Sequence, residues 1–200
     1  MGFASIIWLF VMALAGYGLG WAARSQWRGS KEPSLDRYVL DTAMGLGILS
    51  LVCFAMAATH CLNAVHIVCF CLAGLLGLPI AACDLAKSLK NWFKDKQLPS
   101  AKIIIWVILF ICLAITVLIP AMAPPSGDDW DSLAYHLAIP KLYLQHGGFY
   151  YINFASHSNF PFLVEMLYTP ALSFDNPAGA KMVHYLYGVL LVLAAVMLTR

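Results

Sequence analysis

The chain has 200 residues, 62% of them hydrophobic and 11% charged, with a mean hydropathy of +0.78. A soluble domain carries about 25% charged and about 45–50% apolar residues, so this composition excludes a soluble core. The formal net charge of +2 comes from basic residues scattered over short loops, which form no nucleic-acid-binding face.

A bilayer core takes about 20 apolar residues in a helix, and five stretches satisfy it. The first is Phe3–Ala23. It lacks a basic leader and its apolar run is too long for a signal peptide, so it reads as a retained span. Its Gly16 and Gly20 form a small-xxx-small pair that lets another helix approach, within or between chains. A basic stretch follows, with Arg24, Arg28, Lys31 and Arg37. The second span, Tyr38–Thr59, is joined to the third, Ala64–Cys83, by a connector without Lys or Arg. Pro79 is expected to kink the third span. Lys87, Lys90, Lys94, Lys96 and Lys102 then precede the fourth span, Ile103–Met122, which Pro120 helps to end. The fifth is Met182–Thr199, closing on Arg200.

The two basic connectors belong on the cytoplasmic side. This predicts a multi-pass protein of the bacterial inner (plasma) membrane, with its N-terminus and the loop 124–180 outside. Asp41 and Asp84 fall near the cytoplasmic ends of spans, where solvated interfacial positions are expected. The six cysteines include no CxxC pair and read as small apolar core residues. A Cys61/His60/His66 cluster has poor spacing for zinc.

The loop Pro124–Ala180 is too long for a simple connector. Asp128, Asp129 and Asp131 open it, and acidic residues suit a helix start. A surface helix is predicted over Asp129–Gln145, bent by Pro140 and ended by Gly147-Gly148. A second is predicted from about Asn159 to Thr169, with Pro161 in its first turn. Both read as amphipathic helices at the membrane surface, with Trp130, Tyr143, Tyr150, Tyr151 and Tyr168 as interfacial anchors. The fold class is therefore all-α, polytopic, with about five transmembrane helices and two surface helices. Three readings of the acids stand side by side. They are helix caps beneath an aromatic belt, or a carboxylate with Tyr135 and His136 nearby that accepts a proton from a hydroxyl, or oxygen ligands for a divalent metal.

The run WDSLAYHLAIPKLYLQHG, with SNFPFLVEMLYTPAL and AKMVHYLYGVL after it, resembles the GT-C glycosyltransferases. It is similar to a bacterial branch of the family-39-like enzymes, whose relatives include protein O-mannosyltransferases and the aminoarabinose transferase of lipid A. The resemblance covers about Ile103–Arg200 and includes an Asp followed four residues later by a Tyr, here Asp131 and Tyr135. It implies a polyprenyl-phosphate-linked sugar as donor, a hydroxyl acceptor on a lipid, glycan or protein, and membrane lipids as surroundings. It makes Asp131 the general base. The family's usual Glu after that Asp is Ser132 here, so Asp128 and Asp129 are the candidates for an accessory acid. Tyr135, His136, Lys141, His157 and Asn159 are the substrate-binding candidates, with Lys141 and His157 suited by charge to a lipid phosphate. Glu165 and His184 fit the pattern without an assigned role beyond a helix-packing polar pair. A divalent metal is compatible with the resemblance and not required by it.

Residues 1–100 then read as an accessory three-helix transmembrane module. Residues 101–200 read as the start of a transferase module, comprising a span, the loop 124–180 and a span. Members of the family have more spans, so the chain is expected to be an N-terminal part whose donor groove needs further helices. The reading from a different class is a non-enzymatic membrane scaffold or regulatory subunit.

Overall fold

The computed structural model describes residues 2–26, 34–94, 100–160 and 162–198. Arg28, Lys31, Lys96, Pro161, Thr199 and Arg200 lie outside them. The described residues are helical, without a strand. Among the described residues, five helical segments are long and apolar enough to cross a membrane: Phe3–Ser25, Leu35–Ala58, Ala64–Asn91, Ala101–Met122 and Pro177–Leu198. The chain is a membrane protein.

Helices α1 (Gly2–Ser25) and α2 (Leu35–Ala58) form the tightest pair. A Cβ on Gly20 would lie 1.8 Å from the Asp41 carbonyl oxygen, and one on Gly45 would lie 1.8 Å from that of Gly16. The Gly16/Gly20 spacing therefore serves a contact within the chain, backbone against backbone. Gly18 faces Gly74 and Gly77 of the third span in the same way. That span is two helices, α3 (Ala64–Leu75) and α4 (Leu78–Lys94), parted at Leu76-Gly77. Pro79 accounts for the break. It has no N–H for the Leu75 carbonyl, and its ring crowds that carbonyl. Side-chain caps mark three helix starts: Ser34 accepts from Arg37 N, Asn63 from His66 N and Ser100 from Ile103 N.

Asp41 and Asp84 are buried rather than solvated. Arg24 grips Asp41 through two bonds, Nε–Oδ1 at 2.5 Å and a terminal nitrogen to Oδ2 at 3.0 Å. Arg37 lies 3.1 Å from Asp84 and 3.6 Å from Asp41, while the Tyr17 hydroxyl donates to Asp84 at 2.8 Å. Paired charges tolerate burial where lone ones do not. The cysteines also divide. Cys53 and Cys71 are buried, whereas Cys61, Cys69, Cys83 and Cys112 are exposed. On a span an exposed apolar side chain faces lipid, so hydropathy alone does not place it in the core.

At the end where α2 and α5 (Ala101–Met122) finish and α8 (Pro177–Leu198) begins, the segment 124–176 forms a cap. Its predicted first helix is split. A π-helical turn, Ser132–His136, precedes α6 (Ala138–His146). Pro140 lacks the N–H that would bond His136, and the turn widens so that Leu137 N bonds Ser132 O at 3.0 Å. Gly147 ends α6 at φ 82°, and Gly148 leaves room for the 57–60 turn, where a Cβ would meet the Ala57 oxygen at 2.5 Å. The predicted second helix does not form as one piece. Two 3₁₀ turns, Ser156–Asn159 and Glu165–Tyr168, form instead, and α7 (Thr169–Leu172) follows. Pro170 sits in the first turn of α7, where its missing N–H is harmless. The cap is thus a folded layer on the ends of α2 and α8, with Ile139, Tyr143, Phe162, Met166 and Tyr168 in its core.

Helix α5 differs from the rest. It has none of its residues buried and leans mainly on α8.

Candidate functional site

Between α5 and α8 runs a groove of about 650 Å³. Its walls are apolar, from Phe110, Leu113 and Val117 on one helix and from Gly188, Val189 and Val192 on the other. At the capped end the lining turns polar, with Asp129, Ser132, Lys181, His184 and Tyr185. Positions 181, 184, 185, 188 and 192 share one face of α8 by helical spacing. From Lys181 to Val192 the helix rises about 16 Å, about half the thickness of a bilayer core. The groove therefore has a polar mouth at the capped end and an apolar slot below it.

Asp129 and Ser132 are the loop residues that line this mouth. Lys181 Nζ donates to the Ala123 carbonyl at 3.2 Å and lies 3.5 Å from Asp129 Oδ2, which also accepts from Ser126 N at 3.2 Å. Asp129 is thus turned back toward α8, while Asp128 and Asp131 are exposed. Desolvation first, and then the charge of the Asp131 carboxylate four residues earlier, push the Tyr135 phenol above its ordinary range. Tyr135 therefore stays protonated. Its ring is stacked on His157 at 4.5 Å and 7°, and lies 4.2 Å from the ring of His136. His136 Nδ1 in turn is 2.9 Å from Glu165 Oε1. Beneath them the buried Tyr168 hydroxyl is hydrogen-bonded to His184 Nε2. Burial, then the nearby Glu165 carboxylate, hold the Tyr168 phenol protonated.

Of the residues expected from the sequence, Tyr135, His136 and His157 come together, Asp131 lies four residues before Tyr135 at the start of the same turn, and Asp129 joins the groove mouth. Lys141 does not. It pairs with Asp175 at 2.8 Å, beside a separate cavity lined by Trp8, Phe174 and Asn176. Asn159 bonds its own turn through Ser156 O at 3.1 Å and faces an aromatic cleft with Tyr143, Tyr150 and Phe160. Glu165 and His184 are both engaged, but with His136 and Tyr168 rather than with each other. Lys181 and Tyr185 are additions to the expected set. The signal for them was the polar spacing 181, 184, 185 at the head of an otherwise apolar helix. Among the described residues no three His, Cys, Asp or Glu side chains converge as a metal site. No family model matches the chain, and no curated protein or solved structure does.

Proposed function

We propose that the chain is the sugar-transferring part of a membrane glycosyltransferase, which moves a sugar from a polyprenyl-phosphate donor to an acceptor hydroxyl on the outer face of the bacterial inner membrane. The observation that supports this reading is the groove between α5 and α8, apolar along its walls, with Lys181 and Ser132 at its polar mouth and Asp131 one residue before Ser132 in the cap. The prenyl tail lies between α5 and α8, and its phosphate reaches Lys181. The acceptor oxygen attacks the anomeric carbon as its proton passes to Asp131. The bond from that carbon to the phosphate oxygen breaks, and its electron pair leaves with the phosphate. One carboxylate suffices for this inverting displacement, because no sugar is bonded to the enzyme.

Transfer from a radiolabelled polyprenyl-phosphate sugar in membranes tests the reading. Asp131→Asn is expected to lower turnover by about 10²–10⁴, the usual worth of general-base help, with membrane insertion unchanged. Undiminished transfer by that variant would remove Asp131 from the mechanism. The scaffold reading draws on α5, whose unburied surface is open to a partner helix. It is favoured if wild-type membranes transfer nothing.

A further inference from the structure

His184 occupies the groove mouth one turn after Lys181, exposed to the groove on one side and bonded to buried Tyr168 on the other. The direction of that bond can be worked out. Tyr168 has no other hydrogen-bond partner among the described residues. If His184 Nε2–H donated to it, the phenol proton would be left buried and unsatisfied, which is costly. Tyr168 therefore donates, and Nε2 accepts. An imidazole accepting at Nε2 carries its proton on Nδ1. The nearby carboxylate, Glu165, is already taken by His136. Among the described residues nothing accepts from His184 Nδ1.

We propose that His184, its tautomer set by Tyr168, donates its Nδ1–H to the phosphate of the lipid seated in the α5/α8 groove, alongside Lys181. This rests on the lipid-linked donor reading and adds to it a phosphate-binding residue and a positioning residue. In the transfer step the donor holds the bridging or terminal phosphate oxygens as negative charge gathers there, and no proton needs to leave the ring. Tyr168 acts only through His184.

Asparagine and glutamine separate this role from a structural one. The Asn side-chain nitrogen falls near the position of imidazole Nδ1, and that of Gln near Nε2. The full chain in lipid nanodiscs is titrated with farnesyl phosphate, with farnesol and inorganic phosphate as parallel arms. Wild type is expected to bind farnesyl phosphate more tightly than either. His184→Asn is expected to stay close to wild type. His184→Gln is expected to lose about tenfold to hundredfold in affinity, the worth of a hydrogen bond to a charged group. Tyr168→Phe, which frees the tautomer, is expected to fall between them, with farnesol binding unchanged in all three.

The reverse order, with Gln equal to wild type and Asn weakened, would overturn the proposal, because it means that the Tyr168 bond matters only for packing. Inorganic phosphate bound as tightly as farnesyl phosphate would overturn the lipid part of it. Farnesyl phosphate bound no better than farnesol would overturn both this proposal and the donor reading. A chain that shows the expected His184 dependence but transfers no sugar overturns the transfer reading alone.

Discussion

His136 Nδ1 and Glu165 Oε1 stand 2.9 Å apart, tying the π-helical turn to the 3₁₀ turn before α7 across 29 residues of chain. This bridge holds Tyr135, the neighbour of His136, against the layer that carries Tyr168. The side chains are 36% and 16% exposed, so solvent screens the pair and its worth is about 1 kcal/mol. Glu165→Ala is expected to lower stability by about that amount. Glu165→Gln is expected to lower it less, since an amide can still hydrogen-bond the imidazole. Equilibrium unfolding in mixed detergent measures both. Equal losses in the two variants would show that charge, not the hydrogen bond, carries the bridge.

A larger effect is expected at the other end of the bundle. Asp41 is fully buried and is held by Arg24 at 2.5 Å, with Arg37 3.6 Å away. Removing one member of a buried ion pair leaves charge without its counterpart and typically costs about 3–5 kcal/mol. Asp41→Ala is expected to fall in that range in the same unfolding assay. The exposed Asp36→Ala, on the same helix, is expected to stay within about 0.5 kcal/mol. Similar small values for both would mean that the network contributes nothing net.

These two sites mark what was legible in the sequence. Five spans could be read directly, because about 20 consecutive apolar residues is a local signal. The breaks at Pro79 and Gly147 were also local. Gly16 and Gly20 announced a close helix contact, but the partner, Gly45, depends on how α2 is rotated. Asp41 looked interfacial because basic residues lie near it in the chain. Its burial is decided by Arg24 reaching over from another span. The site divides in the same way. Asp131 and Tyr135 are four residues apart, so their nearness follows from helical spacing. Lys181 with Asp129, and Tyr168 with His184, are 52 and 16 residues apart and meet only because the cap folds onto α8. Lys141 was chosen for its charge alone, and charge does not say which carboxylate will claim it.

Lys141 supplies a prediction with a pH sign. Its ammonium, first by hydrogen bond and then by charge, holds the Asp175 carboxyl below the ordinary carboxylate range. A folded-state pKa lowered in this way stabilises the protein above the unfolded pKa, and the benefit disappears as pH falls through the folded value. Wild type is therefore expected to melt slightly above Lys141→Ala at neutral pH. The gap should close as the medium is acidified below about pH 4. Asp175 is highly exposed, so the gap is small. Farnesyl phosphate affinity is expected to be unchanged in Lys141→Ala, since Lys141 does not line the α5/α8 groove. A marked loss of affinity would return Lys141 to the phosphate site.

Two glycines separate packing from groove function. A Cβ on Gly45 would collide with the Gly16 backbone at 1.8 Å, whereas a Cβ on Gly188 would meet nothing within 4 Å. Backbone cannot give way as a flexible side chain can, so Gly45→Ala is expected to part α1 from α2 and lower the yield of folded protein. Gly188 lines the groove, and Gly188→Leu fills the slot from the α8 side without touching the core. Its stability should match wild type or exceed it, because leucine favours helix over glycine by about 0.5–1 kcal/mol. Binding should separate by tail. Farnesyl phosphate and farnesol are both expected to weaken, because the tail is what the leucine displaces. Inorganic phosphate at Lys181, seven residues earlier on α8, should be unaffected. Unchanged farnesol binding in a well-folded Gly188→Leu protein would mean that the tail lies elsewhere on α5 and that the slot between the two spans is filled by bulk lipid.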